Sequence, residues 1–599
     1  MKKLPWNRIC FLLGLSLTGA VGLGYCINVA GSSLTYTNSM AAFLVWIGLF
    51  FTLRRVTSGA DWERSLSVLN PCFIFLLCFV CCMMTGVKLD QNHGVDFGAW
   101  YLYCWAVPVA AAAAPILANG VRLLEGYNNR RRDFSHGVDG RNNRTFLMIW
   151  GGLFLAYFPA FLASFPGFFS YDAEAETYMV FTEKYSTYQP LLHVLLLGWT
   201  IRIVYHLTQS YNAGIAVYIL MQMAVLSACF AYMMTFLKRI GVRRWVFRAG
   251  MLFLALFPTV SMFVCCSTKD ALFSGGVVLL TTLCLEMARD TESFLASGRK
   301  KVLLAAAMLL ILFFRNNGIY ALVIFLIFFG VAYRDVWKRW IMPIVSAFLI
   351  FILVSAGLSA ALHAKKGPLA EMLCVPIQQL ARVYMQAGDT LTKEEEEILF
   401  NLIPQVILED YNPKLADVVK LNFLEDNFKK EPGKYIGLWF RLGMRHPDIY
   451  VNAFLENTFG YWYPDTVLDG YRGIWAAGRQ YEDSSYFAFG TEAPGQRRHL
   501  IPALETFYEK ISLEIYQQKV PVIAMLFSPG FWHWVYLFLA LYLLVTRCRR
   551  QILSLAVIGL LYLTVLLGPI ALVRYVLYMF FAVPLVLALL FDAKTVAAG

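Results

Sequence analysis

Long stretches without a single Asp, Glu, Lys or Arg constrain this chain more than any other feature. They cover residues 9–53, 65–87, 97–121, 145–171, 203–237, 340–364 and 520–546. A helix needs about 20 apolar residues to cross the hydrocarbon core of a bilayer, and each run accommodates at least one. A single water-soluble globule is therefore excluded. Charged residues make up 15% of the 599, against about a quarter in an ordinary soluble domain.

The formal charge of +12 does not point to nucleic acid. Residues 363–520 hold 17 Lys plus Arg against 22 Asp plus Glu, so the basic excess lies in short loops between apolar runs. That pattern reports topology, with basic loops on the cytoplasmic side, and implies no nucleic-acid partner. Of the 13 cysteines only Cys374 falls in the polar segment, which argues against a disulfide-stapled exterior. Cys78 and Cys81 form a CxxC inside an uncharged run and read as packing residues rather than a redox or metal motif.

Lys2, Lys3 and Arg8 before the first apolar run have the charge pattern of a signal peptide, but the many later runs favour a retained first helix. With the N-terminus cytoplasmic, spans are expected near 10–30, 39–53, 68–87, 97–119, 145–165, 213–237, 245–266, 270–288, 302–314, 317–333, 341–361, 529–546, 552–570 and 574–591. The stretch 190–209 is placed along the outer surface. Making it a span would move Lys238, Arg239, Arg243, Arg244 and Arg248 outside, and Arg202, His206 and Gln209 share one helical face, as in an interfacial helix.

The expected fold is thus an all-α polytopic membrane protein with about 14 transmembrane helices and both termini cytoplasmic. Residues 1–144 form an N-terminal four-helix bundle and basic loop. Residues 145–362 form a membrane module with a first external loop at 166–212. Residues 363–520 form a mainly helical external domain, and 521–599 the last helices. Within the external domain, Thr392 and Glu395 have capping-box spacing, which makes the Glu394–Glu397 run a helix start with a solvated face.

No HExxH, GxxxxGK[ST], GxSxG or GxGxxG in a strand-to-helix setting occurs, so cytosolic nucleotide chemistry has no support. The first external loop runs Ser164-Phe-Pro-Gly-Phe-Phe-Ser-Tyr-Asp172-Ala-Glu174-Ala-Glu176, three acids in five residues after 27 uncharged ones. They either occupy the first turn of a helix, where negative charge suits the dipole, or include a general base or metal ligand at Asp172. A carboxylate at the membrane edge would have its pKa moved toward useful base strength. Glu176 is assigned to the helix turn.

Lys269, Asp270, Arg315 and Arg574 lie between or within apolar runs, where ionisable groups are expensive. Either these charges neutralise one another, for example Asp270 with Arg315, or Lys269 and Arg574 snorkel, or at least two of the three cations bind an anionic group at the outer face. Asn316 and Asn317 add amide groups beside Arg315, and His193 either reaches the same place or is a packing residue. Tyr461 and Trp462 either stack on a sugar or belong to an interfacial aromatic belt.

The loop Phe-Pro-Gly-Phe-Phe-Ser-Tyr-Asp172 followed by Gln189-Pro190-Leu-Leu-His193 and a juxtamembrane helix resembles the start of the catalytic module of C-type (GT-C) glycosyltransferases. Ser267-Thr-Lys269-Asp270, Phe314-Arg315-Asn316-Asn317-Gly318, Pro376-Ile-Gln378-Gln379, Tyr411-Asn-Pro413 and Gly460-Tyr-Trp-Tyr-Pro464 look more narrowly like an uncharacterised bacterial multi-pass family near those enzymes. The resemblance implies transfer of a sugar from a polyprenyl-phosphate lipid to a cell-surface glycan or lipid acceptor. It makes Asp172, with Glu174, the base or the ligand of a divalent metal such as Mg or Mn. Lys269, Arg315 and Arg574, with Arg382 behind them, become the phosphate-binding cations. The competing readings are a transporter or flippase and a polymerase or ligase of envelope polysaccharides.

Overall fold

The computed structural model describes residues 5–29, 36, 39–59, 62–130, 142–476, 479–480 and 486–597. Lys2, Lys3 and residues 131–141 of the expected basic loop lie outside these. The chain is overwhelmingly helical. Among the described residues the one sheet is a hairpin pairing Trp475–Ala476 with Arg479–Gln480.

Nine helices among the described residues are long and apolar enough to cross a membrane, and eleven spans result if two bent pairs count as one each. The bent pairs are Arg244–Leu256 with Pro258–Val264, at 53°, and Val573–Phe581 with Val583–Phe591, at 44°. Each of the 14 expected spans coincides with a helix or helix pair, but not all of these are long and apolar enough to cross a membrane. Four of them, Gly298–Phe314, Gly318–Ala332, Pro529–Val545 and Arg549–Val565, have only 15 to 17 residues, or about 22–26 Å at the helical rise. Leu191–Thr208, expected to lie on the surface, is an apolar helix of 18 residues that meets the criteria for a span.

Contacts divide the chain into two compact units whose limits differ from the segments read in the sequence. One comprises Met1–Arg132, Val375–Thr466 and Gly530–Arg547, the other Asp133–Cys374, Val467–Pro529 and Cys548–Gly599. The polar stretch 363–520 is thus shared between them.

In the first unit the Ala106–Asn129 helix buries Ala110, Ala112, Ala114 and Ala118 and packs on Trp6–Val29 and Leu69–Asn92. Small side chains let backbones approach where lipid offers no hydrophobic gain for association. His93 ends Leu69–Asn92 in the left-handed region, at φ 53°. Beyond it the Val95 N–H donates to Asn452 Oδ1 at 2.8 Å while Asn452 Nδ2 donates to the Val95 carbonyl at 3.0 Å. Leu89, Val95, Phe459 and Tyr463 close a small core there. The capping box at Thr392 and Glu395 forms as expected and starts the Lys393–Phe400 helix.

The second unit is built around the Lys269–Arg289 helix, which is buried at every position from Asp270 to Ala288. It is apolar on all sides, which is the signature of a fully enclosed helix. Tyr211–Arg239, Gly298–Phe314, Arg549–Val565 and Leu577–Phe581 surround it. Gly276 permits one of these contacts, because a β-carbon there would lie 3.2 Å from the Ala307 carbonyl and 2.7 Å from Leu310 Cβ. At the C-terminal end Glu286 gathers Arg239, Lys300 at 2.9 Å and the Tyr232 hydroxyl at 2.6 Å. The basic C-terminal end of Tyr211–Arg239 and the basic N-terminal end of Gly298–Phe314 therefore meet there.

Candidate functional site

The N-terminal end of the same central helix holds a second and larger set of charges. Thr268 caps it, accepting from the Asp270 N–H and donating to Asp270 Oδ2 at 3.1 Å. Lys269 and Asp270 thereby occupy the first helical turn, where the unpaired N–H groups favour negative charge. The loop that ends in Asp172 is tied to this turn by backbone bonds from Phe168 N to the Cys265 carbonyl and from Ser267 N to the Phe168 carbonyl, both at 3.0 Å. Gly167 makes the approach possible. Its φ is +127°, and a β-carbon would press on Ile219 and lie 3.2 Å from the Cys265 carbonyl.

Tyr171, the next residue but one before the helix Ala173–Thr182, is held at φ 64°. For a bulky residue this conformation costs about 1–3 kcal/mol and persists only where surroundings over-determine it. Here the Tyr171 hydroxyl accepts from the Ala488 N–H at 2.9 Å, its ring stacks on Phe263, and the Arg574 guanidinium lies 4.5 Å above it. Asp172 is thereby delivered to the cations as the N-cap of Ala173–Thr182.

Lys269 Nζ donates to Asp172 Oδ2 at 2.6 Å, and Arg574 Nη1 donates to the same oxygen at 2.9 Å. Lys269 also bonds Gln189 Oε1 and lies 3.6 Å from Glu176 Oε1. Arg574 lies 3.8 Å from Asp270 Oδ2, and Arg315 Nη1 donates to Asp270 Oδ1 at 2.8 Å. The Tyr575 ring stacks under both guanidiniums, 4.4 Å from that of Arg315 and 4.9 Å from that of Arg574. Three cations and three carboxylates thus form one connected network. Burial works to raise the Asp172 pKa, but the charges of Lys269 and Arg574 outweigh it and hold the carboxyl well below the usual carboxylate range.

Glu176 is the residue that the sequence reading assigned to a helix turn and that the fold places inside the network. Its side chain is 1% exposed, and it bonds His193 Nδ1. His193 continues through Nε2 to the Tyr218 hydroxyl at 2.7 Å. Tyr218 donates to Gln222 Oε1 at 3.1 Å, and Gln222 donates to the Cys266 carbonyl at 2.6 Å. The chain of bonds returns to the segment that precedes Lys269. His193 is thus a buried, doubly satisfied residue one step from Lys269.

Glu174, by contrast, is exposed and lines a shallow groove with Tyr178 and Lys184. Helical spacing explains the difference. Asp172 and Glu176 fall at i and i+4 on one face, whereas Glu174 is turned away from it.

The other expected residues are distributed as follows. The pairing of Asp270 with Arg315, one of the two readings of those charges, is present. Asn316 donates to the carbonyls of Thr187 and Tyr188, and Asn317 to Thr564 Oγ1 at 2.9 Å. Arg382, Tyr461 and Trp462 belong to the first unit. There Arg382 is buried and donates to the His93 carbonyl, Tyr461 is 1% exposed, and Trp462 donates to Thr458 Oγ1 at 3.3 Å. No three His, Cys, Asp or Glu side chains among the described residues gather as metal ligands. With Asp172 Oδ2 shared between two cations and Glu174 exposed, these residues do not fit a divalent metal.

The helices and the buried ionic centre define an all-α chain suited to a multi-pass membrane protein. A model described as a family of unknown function (DUF6020) matches residues 176–598, and the chain belongs to that family. The match includes Glu176, His193, Lys269, Arg315 and Arg574 and begins just after Asp172. No curated protein and no solved structure matches the chain.

Proposed function

We propose that this protein is a membrane glycosyltransferase that takes a sugar from a polyprenyl-phosphate donor and passes it to an extracytoplasmic glycan or lipid acceptor. The observation that carries the reading is the convergence of Lys269 and Arg574 on one carboxylate oxygen at the N-terminal end of a buried helix. That donor set suits a phosphate oxygen. It lies at the end of the helix opposite Glu286, where the basic ends of two neighbouring helices meet, so in the proposed topology, with about 14 spans and both termini cytoplasmic, it faces outward.

A phosphate-linked sugar already carries a good leaving group, so the protein needs little beyond a base and cations. The acceptor hydroxyl oxygen bonds to the anomeric carbon as the bond from that carbon to the phosphate oxygen breaks. The hydroxyl proton passes to the Asp172 carboxylate, and polyprenyl phosphate leaves with the bonding electron pair, its charge held by Lys269 and Arg574, with Arg315 beside them. Glu176 and His193 orient Lys269. No step is assigned to a metal.

The test is turnover of polyprenyl-phosphate hexoses by the purified protein in nanodiscs, followed by mass spectrometry of the lipid. Loss of sugar by wild type that stops in Asp172→Asn supports the assignment. Failure to consume any such donor, with Asp172→Asn still complementing a deletion strain, moves the protein to the transport class.

A further inference from the structure

The geometry points to Asp172 as the internal occupant of the anion site: in the free protein its carboxylate holds the place of the donor phosphate, which must take Lys269 and Arg574 from it in order to bind. This inference rests on the reading above and adds how the site is opened.

Four observations carry it. Both cations bond a single oxygen, Asp172 Oδ2, at 2.6 and 2.9 Å, so an anionic oxygen brought to that point would meet both donors without their moving. Asp172 is the outermost member of the set, its side chain 26% exposed against 13% for Lys269 and 10% for Arg574, so an anion arriving from solvent meets the carboxylate before the cations. Neither cation depends on Asp172 for its position. Lys269 keeps Gln189 and Glu176, while Arg574 keeps Asp270, Tyr575 and the ring of Tyr171. Finally, Asp172 precedes Ala173–Thr182 without a side-chain hydrogen bond to the turn it caps, so its carboxylate can rotate away without unwinding that helix.

The exchange also resolves a chemical difficulty. A carboxylate gripped by two cations is a poor base, since its affinity for a proton is lowered along with its pKa. Once a phosphate takes the cations, Asp172 is left beside the bound sugar as an ordinary carboxylate, competent to accept the acceptor's proton. Base strength then appears only when donor is present.

Farnesyl phosphate is the probe, with binding measured by calorimetry on full-length protein in nanodiscs. Asp172→Asn and Asp172→Ala should bind it at least about tenfold more tightly than wild type, and Lys269→Gln should lose binding. Equal or weaker binding by folded Asp172 variants overturns the inference while leaving the glycosyltransferase reading in place. Tighter binding without turnover of any sugar lipid supports the inference and removes that reading, and no binding by any form removes both.

On wild type alone, the infrared difference spectrum on adding farnesyl phosphate should show a cation-bound carboxylate band replaced by a free one. An unchanged carboxylate region overturns the inference even if no Asp172 variant folds.

Discussion

At Glu176 and Glu174 the same side chain meets two environments two residues apart. Glu176 is enclosed between Lys269 and His193, so removing it leaves His193 Nδ1 buried without its partner, while Lys269 keeps Asp172 and Gln189. Glu176→Ala is expected to cost about 1–3 kcal/mol, and Glu174→Ala to stay within about 0.5 kcal/mol of wild type, as read by urea unfolding in detergent. Asp172 makes a separate prediction. Its folded pKa lies below its unfolded value of about 3.9, so the stabilisation from Lys269 and Arg574 is complete above that unfolded value and is lost as pH falls through the folded one. The unfolding temperature should owe no slope to this group between pH 5 and 8. The drop below about pH 4 should be shallower in Asp172→Asn than in wild type.

Among the elements, the Lys393–Phe400 helix shows how a local signal becomes a tertiary one. Thr392 Oγ1 accepts from the Glu395 N–H at 3.2 Å and Glu395 Oε2 accepts from the Thr392 N–H at 3.1 Å, while both Glu395 oxygens also take Arg445 at 3.0 Å. Those hydrogen bonds from Arg445 hold the Glu395 pKa below its usual range. Thr392→Ala should cost about 1 kcal/mol, seen as faster hydrogen exchange at residues 393–400.

The Lys269–Arg289 helix illustrates the opposite case, an element with no choice of face. Because Gly276 faces the backbone of Gly298–Phe314, Gly276→Val should overpack that contact by about 1–3 kcal/mol. The measurement is the thermal midpoint in detergent against Gly298→Val, whose position is open.

For the molecule as a whole, the proposed topology puts the two ends of the Lys269–Arg289 helix on opposite sides of the membrane. Glu174 lies near the Asp172 end, and Glu292, paired with Arg339 at 2.6 Å, follows the Glu286 end; both are exposed. In a cysteine-free background, a thiol at 174 should react with a membrane-impermeant maleimide on intact cells, and one at 292 only after permeabilisation. The reverse pattern would remove the proposed outward-facing site.

The all-helical architecture was legible in the residues because charge-free runs of helical span length admit little else, and the capping box needed only Thr392 and Glu395 three positions apart. Lys269, Arg315 and Arg574 stood out because charge is costly among apolar residues. What the linear order could not decide was pairing. Asp172 meets Arg574 across 402 positions, and Glu176 rather than Glu174 joins the network through the direction of one helix face. Hydropathy is a property of each segment alone, whereas a buried charge is placed by the partner that neutralises it, and that partner is chosen only when the helices pack.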